Sequence, residues 1–186
     1  SEKELNKQNL GKDLPVLMRF LPSVVTTSDA GAGVGYTGIR VRGSDATRVN
    51  VTINGIAYND AESHGTFWVN LSDFASSVSD LQLQRGVGTS TNGAAAFGAS
   101  LNINTTEPSQ AAYALLSSSA GSFNTFKNTV KFSTGLSKSG FEFSGRLSGI
   151  TSDGHIDRAS SNLKGYFLQG TYSSVNTKIK ALTFGG

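Results

Sequence analysis

The sequence predicts an α+β domain with a small mixed β-sheet over residues 1–107, followed by antiparallel β-strands over residues 108–186. Two observations carry this prediction. Apolar and polar residues alternate over residues 81–84 and again over 101–104, which indicates two half-buried strands joined by a segment rich in glycine and alanine. After Thr106-Glu107-Pro108 no helical period remains, and alternating runs indicate strands alone.

The composition narrows the chemistry available to the chain. With 186 residues, 37% of them hydrophobic, the chain can bury a core of ordinary size. It has no cysteine, which excludes a disulfide framework, a zinc knuckle and a thiol nucleophile. The net charge of +3 comes from scattered lysines and arginines, so no basic run indicates a nucleic-acid partner. We predict no cofactor and no metal.

Membrane-spanning helices and membrane-spanning strands leave different traces in a sequence. No run approaches the ~18 to 20 apolar residues that a spanning helix needs. Strands of a transmembrane barrel need only about ten residues of alternating hydrophobicity. The 22 glycines, eleven phenylalanines and five tyrosines favour strands of this second kind.

One short amphipathic helix is predicted near the start of the chain. Pro15 suits its first turn and Pro22 ends it. The i, i+3, i+4, i+7 spacing that defines a buried helix face is occupied by Leu14, Leu17, Met18 and Leu21.

Residues 28–36 are predicted to form a flexible loop, because Gly31, Gly33 and Gly35 occupy alternate positions. This spacing invites comparison with phosphate-binding loops. Tyr36, however, stands where the third glycine of a dinucleotide-binding motif would fall, and a strand follows instead of a helix. We therefore disfavour phosphate binding.

Two strands follow, over residues 39–43 and 48–53, and each alternates apolar with polar or basic residues. The second strand ends at Asn54-Gly55. This dipeptide strongly indicates a tight turn, because both residues tolerate positive φ.

The segment 57–69 carries the most varied chemistry. A metal site is one interpretation of Asp60, Glu62 and His64, but nothing fixes their geometry, and we favour a solvated loop. Aromatic side chains beside polar groups in a loop are common at ligand sites, and here they are Tyr58, Phe67 and Trp68. A short helix over 70–78 is predicted next, with Ser72 and Asp73 as capping candidates and Phe74, Ala75 and Val78 turned inward.

Five alternating runs follow, over residues 112–120, 124–134, 140–150, 163–173 and 177–184. Each predicts a strand with one apolar and one polar face. The apolar face carries Phe141, Phe143, Leu147, Tyr166, Leu168 and Tyr172, and the polar face of the third run carries Glu142, Ser144, Arg146 and Ser148. We expect the apolar face to self-associate or to pack on the first domain, although a soluble β-sandwich would alternate in the same way.

Three motifs occur in order over residues 13–106: a strand ending in Arg42-Gly43, a strand ending in Asn54-Gly55, and a closing segment with Arg85-Gly86. The closing segment continues through Gly93, Gly98, Ala99 and Leu101-Asn102-Ile103. Together they resemble the plug domain of TonB-dependent outer-membrane receptors. The chain departs from that family's pattern at Ser23, Asn54, Gln82, Val87 and Ala99.

The resemblance implies a plug domain over residues 1–107 and the first strands of a 22-stranded transmembrane β-barrel over residues 108–186. Since five strands cannot close such a barrel, we expect the chain to be a fragment. The first domain, in contrast, is expected to fold by itself.

The resemblance also implies a function and partners. The protein would be an outer-membrane transporter, not an enzyme, that imports a scarce nutrient with energy from the TonB complex. A ferric siderophore, haem or a similar iron or cofactor complex is the favoured substrate, bound at the extracellular face. The TonB complex would bind a segment upstream of residue 1, and outer-membrane lipid would surround the barrel.

Particular residues acquire roles from the resemblance. Substrate would contact two apex loops, 28–36 and 58–67, through Tyr36, Tyr58, Asn59, Asp60, His64, Phe67 and Trp68. Arg42 and Arg85 would pair with barrel acids and hold the plug in place. The structural motif residues are Gly43, Asn54, Gly55, Gly86, Gly93, Gly98 and Asn102.

Other functions remain open at this point. A glycan-importing receptor of the same family is one alternative, and Asn102 favours iron or cofactor uptake over it. A surface adhesin or structural β-protein would explain the second half but not the three motifs. An enzyme would need a constellation of catalytic groups, and the sequence offers none.

Overall fold

The structure is a computed structural model that describes residue 5 and residues 7–87 and 96–186. A short helix, α1 (Leu14–Leu17), precedes the strands, and 3-10 segments occupy Ala46–Arg48, Trp68–Leu71 and Phe74–Ser77. The strands are β1 (Val24–Ser28), β2 (Thr37–Val41), β3 (Val49–Ile53), β4 (Ile56–Ala57), β5 (Val78–Arg85), β6 (Ala99–Thr105), β7 (Tyr113–Gly121), β8 (Thr125–Ser133), β9 (Phe141–Ser152), β10 (Ser161–Ser173) and β11 (Lys178–Gly185).

The described strands form three sheets. Strands β1 and β2 form an antiparallel hairpin, and a second sheet has the order β4-β3-β6-β5. This sheet is mixed, because β3 and β6 run parallel while β4 and β5 pair antiparallel with their neighbours. Strands β7 to β11 form an antiparallel meander. The predicted mixed sheet and the five predicted antiparallel strands are confirmed.

The two strands predicted around the glycine-rich segment are neighbours in the mixed sheet. Leu83 lies opposite Leu101, and Leu81 lies opposite Ile103. Leu101 and Ile103 are fully buried, and Leu81 and Leu83 pack against the same core. The alternation therefore predicted both the strands and their inward faces. Gly93, which was expected to be a structural residue between them, lies outside the described residues.

The predicted helix is shorter than its apolar spacing indicated. Helix α1 ends at Leu17, because the next amides bond three residues back, Met18 to the carbonyl of Pro15 and Arg19 to that of Val16. Leu21 is 40% exposed, so the buried face stops at Met18. Among the described residues, no helix is long and apolar enough to cross a membrane.

The prediction of a helix over residues 70–78 is wrong. Two 3-10 segments, Trp68–Leu71 and Phe74–Ser77, occupy this region, and Asp73 between them has a left-handed backbone with φ of 52°. The Asp73 side chain makes no capping hydrogen bond, because its carboxylate binds cations of the strand meander instead. The predicted inward side chains are confirmed: Phe74, Ala75 and Val78 are each 1% exposed.

The meander packs on the first domain with its polar face. Glu142 and Arg146 of β9 are 4% and 1% exposed, whereas Phe141 and Leu147 on the opposite face are 59% and 56% exposed. The expectation that the apolar face packs on the first domain is therefore wrong, because the first domain offers the Asp73 carboxylate and the Ser76 hydroxyl at this contact. A soluble sandwich buries its apolar face, so this arrangement excludes that alternative for the meander.

The main apolar core lies within the first domain. It joins α1, β2, β3, β6 and the 3-10 segments, and nearly all of its fully buried members fall between Leu14 and Ile103. From the meander, Phe167 is a buried member and Phe184 packs against the cluster. Both rings contact Phe74, with centroid distances of 5.9 and 5.1 Å.

Candidate functional site

A cavity of about 370 Å³ lies between the loop that joins β1 to β2 and the start of β10. Its polar lining comes from Asp29, Tyr36, Ser160, Ser161 and Asn162. Tyr36 is 66% exposed. Because the first domain and the meander both contribute walls, a ligand here would contact both parts of the chain at once.

Glycines shape this loop so that it fits between its neighbours. Gly31 has φ of 69°, and a Cβ there would lie 2.9 Å from Cβ of His155. Gly33 has φ of 79°, and a Cβ there would lie 3.3 Å from a methyl group of Val16. The amide of His155 also donates to the carbonyl of Ala30 at 2.8 Å. Close packing on both sides therefore accounts for the glycine spacing without a phosphate ligand.

The second predicted apex loop, 58–67, is held by its own polar side chains. Asn59 accepts a hydrogen bond from the amide of Val51 at 2.7 Å and donates to the carbonyls of Val49 and His64. Asp60 accepts from the amide and hydroxyl of Ser63, at 2.7 and 2.8 Å. These hydrogen bonds hold the pKa of Asp60 below its ordinary value. The Asn59 and Asp60 side chains therefore stabilise the conformation of this loop.

The aromatic residues of this region separate into two groups. Phe67 is 49% exposed, and His64 is exposed with a left-handed backbone, so both are accessible to a ligand. Trp68 is only 3% exposed and belongs to the apolar core. Its interpretation as a ligand residue is corrected, because its ring is enclosed by the domain. Among the described residues, no group of three or more potential metal ligands is present.

Tyr58 lines a second cavity, of about 560 Å³, between the β3–β4 hairpin and β11. Burial raises the pKa of its hydroxyl, and its ring centroid lies 5.8 Å from that of Phe184. Lys178 and Lys180 also line this cavity, and both pair with Glu107 in the segment between the two parts of the chain. Tyr58 therefore lines a different cavity from Tyr36.

Arg42 and Arg85 lie close together at the surface of the first domain. A guanidinium nitrogen of Arg42 lies 3.2 Å from the position of a Cβ on Gly86. Arg85 donates to the carbonyl of Pro22 at 3.1 Å. Both side chains are exposed, and neither pairs with a carboxylate among the residues that the structure describes. Their pairing with barrel acids stays a prediction.

The motif residues have identifiable structural tasks. Asn54 and Gly55 have φ of 50° and 82°, as the predicted tight turn requires. The amide of Gly98 donates to the carbonyl of Arg48, and its own carbonyl accepts from Gly86. Asn102 accepts from the Thr52 hydroxyl at 2.7 Å, which joins β6 to β3. Gly43, with φ of 76°, follows the left-handed Arg42 at the end of β2.

Sequence reasoning missed the main polar contact between the two parts of the chain. Asp73 lies 2.6 Å from Nζ of Lys127 on β8 and 3.2 Å from Nη1 of Arg146 on β9. All three side chains are at most 5% exposed. Burial acts to raise the pKa of Asp73, but the charges of Lys127 and Arg146 outweigh it and hold that pKa below its ordinary value.

Neutral groups complete the cluster around Asp73. Thr129 donates to its Oδ2 at 2.8 Å, and Ser76 donates to its Oδ1 at 2.6 Å. Arg146 also donates to the backbone carbonyls of Ser72 and Asp73, at 3.1 and 2.6 Å. The signal in the sequence was an isolated acid in a run of small and apolar residues, together with basic residues on the polar strand faces.

A second contact between the two parts passes through Thr105 at the end of β6. Its hydroxyl donates to Oε1 of Gln169 on β10 at 3.0 Å, and Nε2 of Gln169 donates to the carbonyl of Thr106. Gln169 is 1% exposed. The first domain is therefore fixed to β8, β9 and β10 by buried polar groups.

Comparisons with known proteins give the same architecture. Residues 1–100 match the family model described as TonB-dependent Receptor Plug Domain. None of the curated proteins matches the chain by sequence.

Among solved structures, the alignment with the siderophore receptor PirA from Acinetobacter baumannii covers 99% of this chain and 30% of that receptor, with a TM-score of 0.73 and 16% identity. The alignment with the FrpB iron transporter from Neisseria meningitidis covers 97% of this chain and 30% of that transporter, with a TM-score of 0.75 and 14% identity. The alignment with the copper transporter OprC covers 94% of this chain and 28% of that transporter, with a TM-score of 0.71 and 16% identity.

The chain thus spans about 30% of the length of the solved structures that it resembles. At this identity the likeness establishes the fold, in which the plug and the adjoining barrel strands align together. The family model covers more than half of the chain independently of any structure. The chain therefore belongs to the TonB-dependent receptor plug-domain family, whose members lie in the outer membrane.

Proposed function

We propose that this chain provides the plug and the first barrel strands of an outer-membrane transporter, which imports a scarce nutrient with energy from the TonB complex. The observation that carries the proposal is the inverted burial of the meander, with its polar face against the plug and its apolar face exposed. Exposed phenylalanine and leucine on one face suit contact with lipid. The protein is a carrier in this proposal and performs no catalysis.

The proposed ligand site is the cavity between residues 29–36 and 159–163. Tyr36 supplies an exposed ring, and the wall formed by β10 supplies hydroxyl and amide groups. Because plug and barrel residues meet there, ligand binding would alter the contact between them. Phe67, His64 and Asp60 of the other apex loop are proposed as secondary contacts.

A ferric siderophore, haem or a similar iron or cofactor complex is the proposed substrate. Two of the three solved relatives named above are an iron transporter and a siderophore receptor, and the third is a copper transporter. These titles describe those proteins, and they support a metal complex as the class to test first. The TonB complex is the proposed partner.

The test is uptake by cells. A strain that lacks the receptor gene would be grown under iron limitation and supplied with ⁵⁵Fe bound to each of a panel of siderophores or as haem. We expect at least one complex to be accumulated only when the gene is restored and TonB is intact. Loss of growth on a glycan, with unchanged iron uptake, would instead assign the receptor to glycan import.

A matched pair of variants tests the orientation of the strands. Leu147→Lys places a charge on the proposed lipid face, and we expect it to destabilise the barrel by ~2–4 kcal/mol if the site lies near the bilayer midplane. Val175→Lys changes a turn residue that is 98% exposed and should have little effect. Folding into lipid vesicles measures both, and equal tolerance of the two lysines would contradict the proposal.

A further inference from the structure

A buried carboxylate lies beneath the proposed ligand loop. Asp13 is 2% exposed and immediately precedes α1. Its Oδ2 accepts a hydrogen bond from the Thr37 hydroxyl at 3.0 Å, and its amide donates to the carbonyl of Gly33 at 3.0 Å. Asp13 thus contacts the loop 29–36 through its backbone amide, and its side chain contacts the first residue of β2, which follows the loop.

Hydrogen bonds compensate a negative charge on Asp13 only in part. Oδ1 has no hydrogen-bond partner among the described residues, and no described ion pair includes this carboxylate. A carboxylate buried in this way is costly, whereas the neutral acid is tolerated. Burial is the largest influence and raises the pKa of Asp13 to about 7, while hydrogen bonds from Thr37 and the amide of Gly35 act in the opposite direction.

Helix α1, which follows Asp13, carries no charged or titratable residue, so such groups come from the neighbouring segments. The charge of Asp73, a second carboxylate, acts on Asp13 and raises its pKa further. Lys127 is paired with Asp73 and therefore does not neutralise Asp13. The remaining groups on the adjoining segments are Lys12 before the helix, Asp29 in the loop and His155 on the barrel side of the loop.

We propose that Asp13 is a positioning residue for the ligand loop 29–36, which it holds in the packed conformation when neutral and releases when charged. The far side of this loop forms the cavity with β10, so release would widen the ligand site. The effect on ligand binding rests on the proposed function, whereas the proton-dependent release does not require a ligand.

The expected pH dependence follows from the two states of the loop. In the packed loop Asp13 keeps its proton up to about pH 7, and in the released loop water restores an ordinary pKa near 4. Between those values the released state binds fewer protons, so the equilibrium constant for loop release should rise about tenfold per pH unit. Above about pH 8 the constant should level off, because Asp13 is then charged in both states.

Hydrogen exchange of the receptor in lipid nanodiscs measures this constant. The reporting amides are those of Asp13, Asp29 and Gly33, which bond to Gly33, Tyr36 and Ser28 within this structure. Each rate would be divided by the intrinsic exchange rate at the same pH. We expect the wild-type constant to rise about fifty-fold from pH 5 to pH 7, and the Asp13→Asn constant to stay flat.

Two further variants keep the result interpretable. Asp29→Asn removes a carboxylate of the same loop and should keep the wild-type slope. Thr37→Val removes a hydrogen bond that favours the charged form, and it should move the plateau to higher pH. A flat wild-type profile, or an equal slope in Asp13→Asn, would overturn the proposal. Since the measurement uses no ligand, its failure is distinct from a failure of the uptake experiment.

Discussion

Asp73 of the plug and Lys127 of β8 face each other with 2.6 Å between Oδ1 and Nζ, and both side chains are buried. Arg146 of β9 lies on the other carboxylate oxygen at 3.2 Å. One plug acid therefore serves two barrel cations. The stability of this contact depends on the match between charges more than on any single pair, because each charge loses its hydration on burial.

Replacing Asp73 by Asn should destabilise the folded chain by about 3–5 kcal/mol, because Lys127 and Arg146 would remain buried without a counter-charge. Denaturation of the chain in detergent micelles, followed by Trp68 fluorescence, measures the change. Glu62→Gln, in the exposed part of the second apex loop, is the control and should shift stability by less than about 0.5 kcal/mol. Joint replacement of Asp73, Lys127 and Arg146 by apolar residues should recover much of the loss, and a deeper loss would contradict this account.

The two buried aspartates should give opposite pH dependences. Because the pKa of Asp73 is lowered on folding, its stabilisation is present above pH ~4 and is lost as the pH falls below that value. Because the pKa of Asp13 is raised to about 7, its contribution is greatest at low pH and declines as the pH rises from ~4 through 7. Denaturation midpoints measured from pH 3 to pH 8 should therefore fall at both ends of this range, at low pH through Asp73 and at high pH through Asp13. Asp13→Asn should remove only the fall in stability at high pH. If that variant also lost the fall at low pH, the assignment to Asp13 and Asp73 would be contradicted.

Trp68 and Tyr36 should differ in what they affect. Trp68→Ala removes a ring that is 3% exposed, and it should cost ~3–5 kcal/mol of stability through the cavity left in the core. Tyr36→Ala removes a ring that is 66% exposed, and it should change stability by less than about 0.5 kcal/mol while lowering ligand binding. Thermal melting and a binding assay with the transported complex separate the two outcomes. Equal losses of stability would show that Tyr36 is also structural.

Arg42 and Arg85 should affect transport rather than ligand affinity. If each pairs with a carboxylate of the complete barrel, Arg→Ala leaves that acid unpaired, at ~3–5 kcal/mol when the pair is buried and less than about 1 kcal/mol when water reaches it. Uptake should then change while binding at Tyr36 stays nearly constant. Arg19, whose guanidinium carbon lies 4.6 Å from the Phe20 ring centroid, provides a control arginine. Altered affinity in both variants would remove the proposed division of roles.

Residues 1–107 alone should melt cooperatively, because nearly all fully buried members of the apolar cluster belong to this segment. The transition should occur at a lower temperature than in the 186-residue chain, since Phe74 loses Phe167 and Phe184, and Asp73 loses its cations. Calorimetry of the two chains makes the comparison. A broad change without a heat-absorption peak would contradict the prediction of an autonomous plug.

Local features of the fold could be predicted because their causes are local. The Leu81 and Leu83 alternation identifies β5, and the positive φ tolerated by Asn54 and Gly55 identifies the turn after β3. The inward face of β9 could not be predicted. The alternation of Phe141 with Glu142 defines an apolar and a polar face, but which face is buried depends on the element that packs against the strand. The contact of Asp73 with Lys127 and Arg146 joins residues more than fifty positions apart, so no local pattern indicates it.

The Asn54 side chain links a plug turn to a barrel strand through a directional relay of donors. Its Nδ2 donates to the Thr105 hydroxyl at 2.9 Å, and this hydroxyl donates onward to Gln169 at 3.0 Å. An aspartate at position 54 could only accept, so the Thr105 proton would turn toward it and Gln169 would lose its donor. We therefore expect positions 54 and 169 to be coupled: an aspartate at position 54 should be tolerated best when position 169 supplies a donor where Gln169 now accepts.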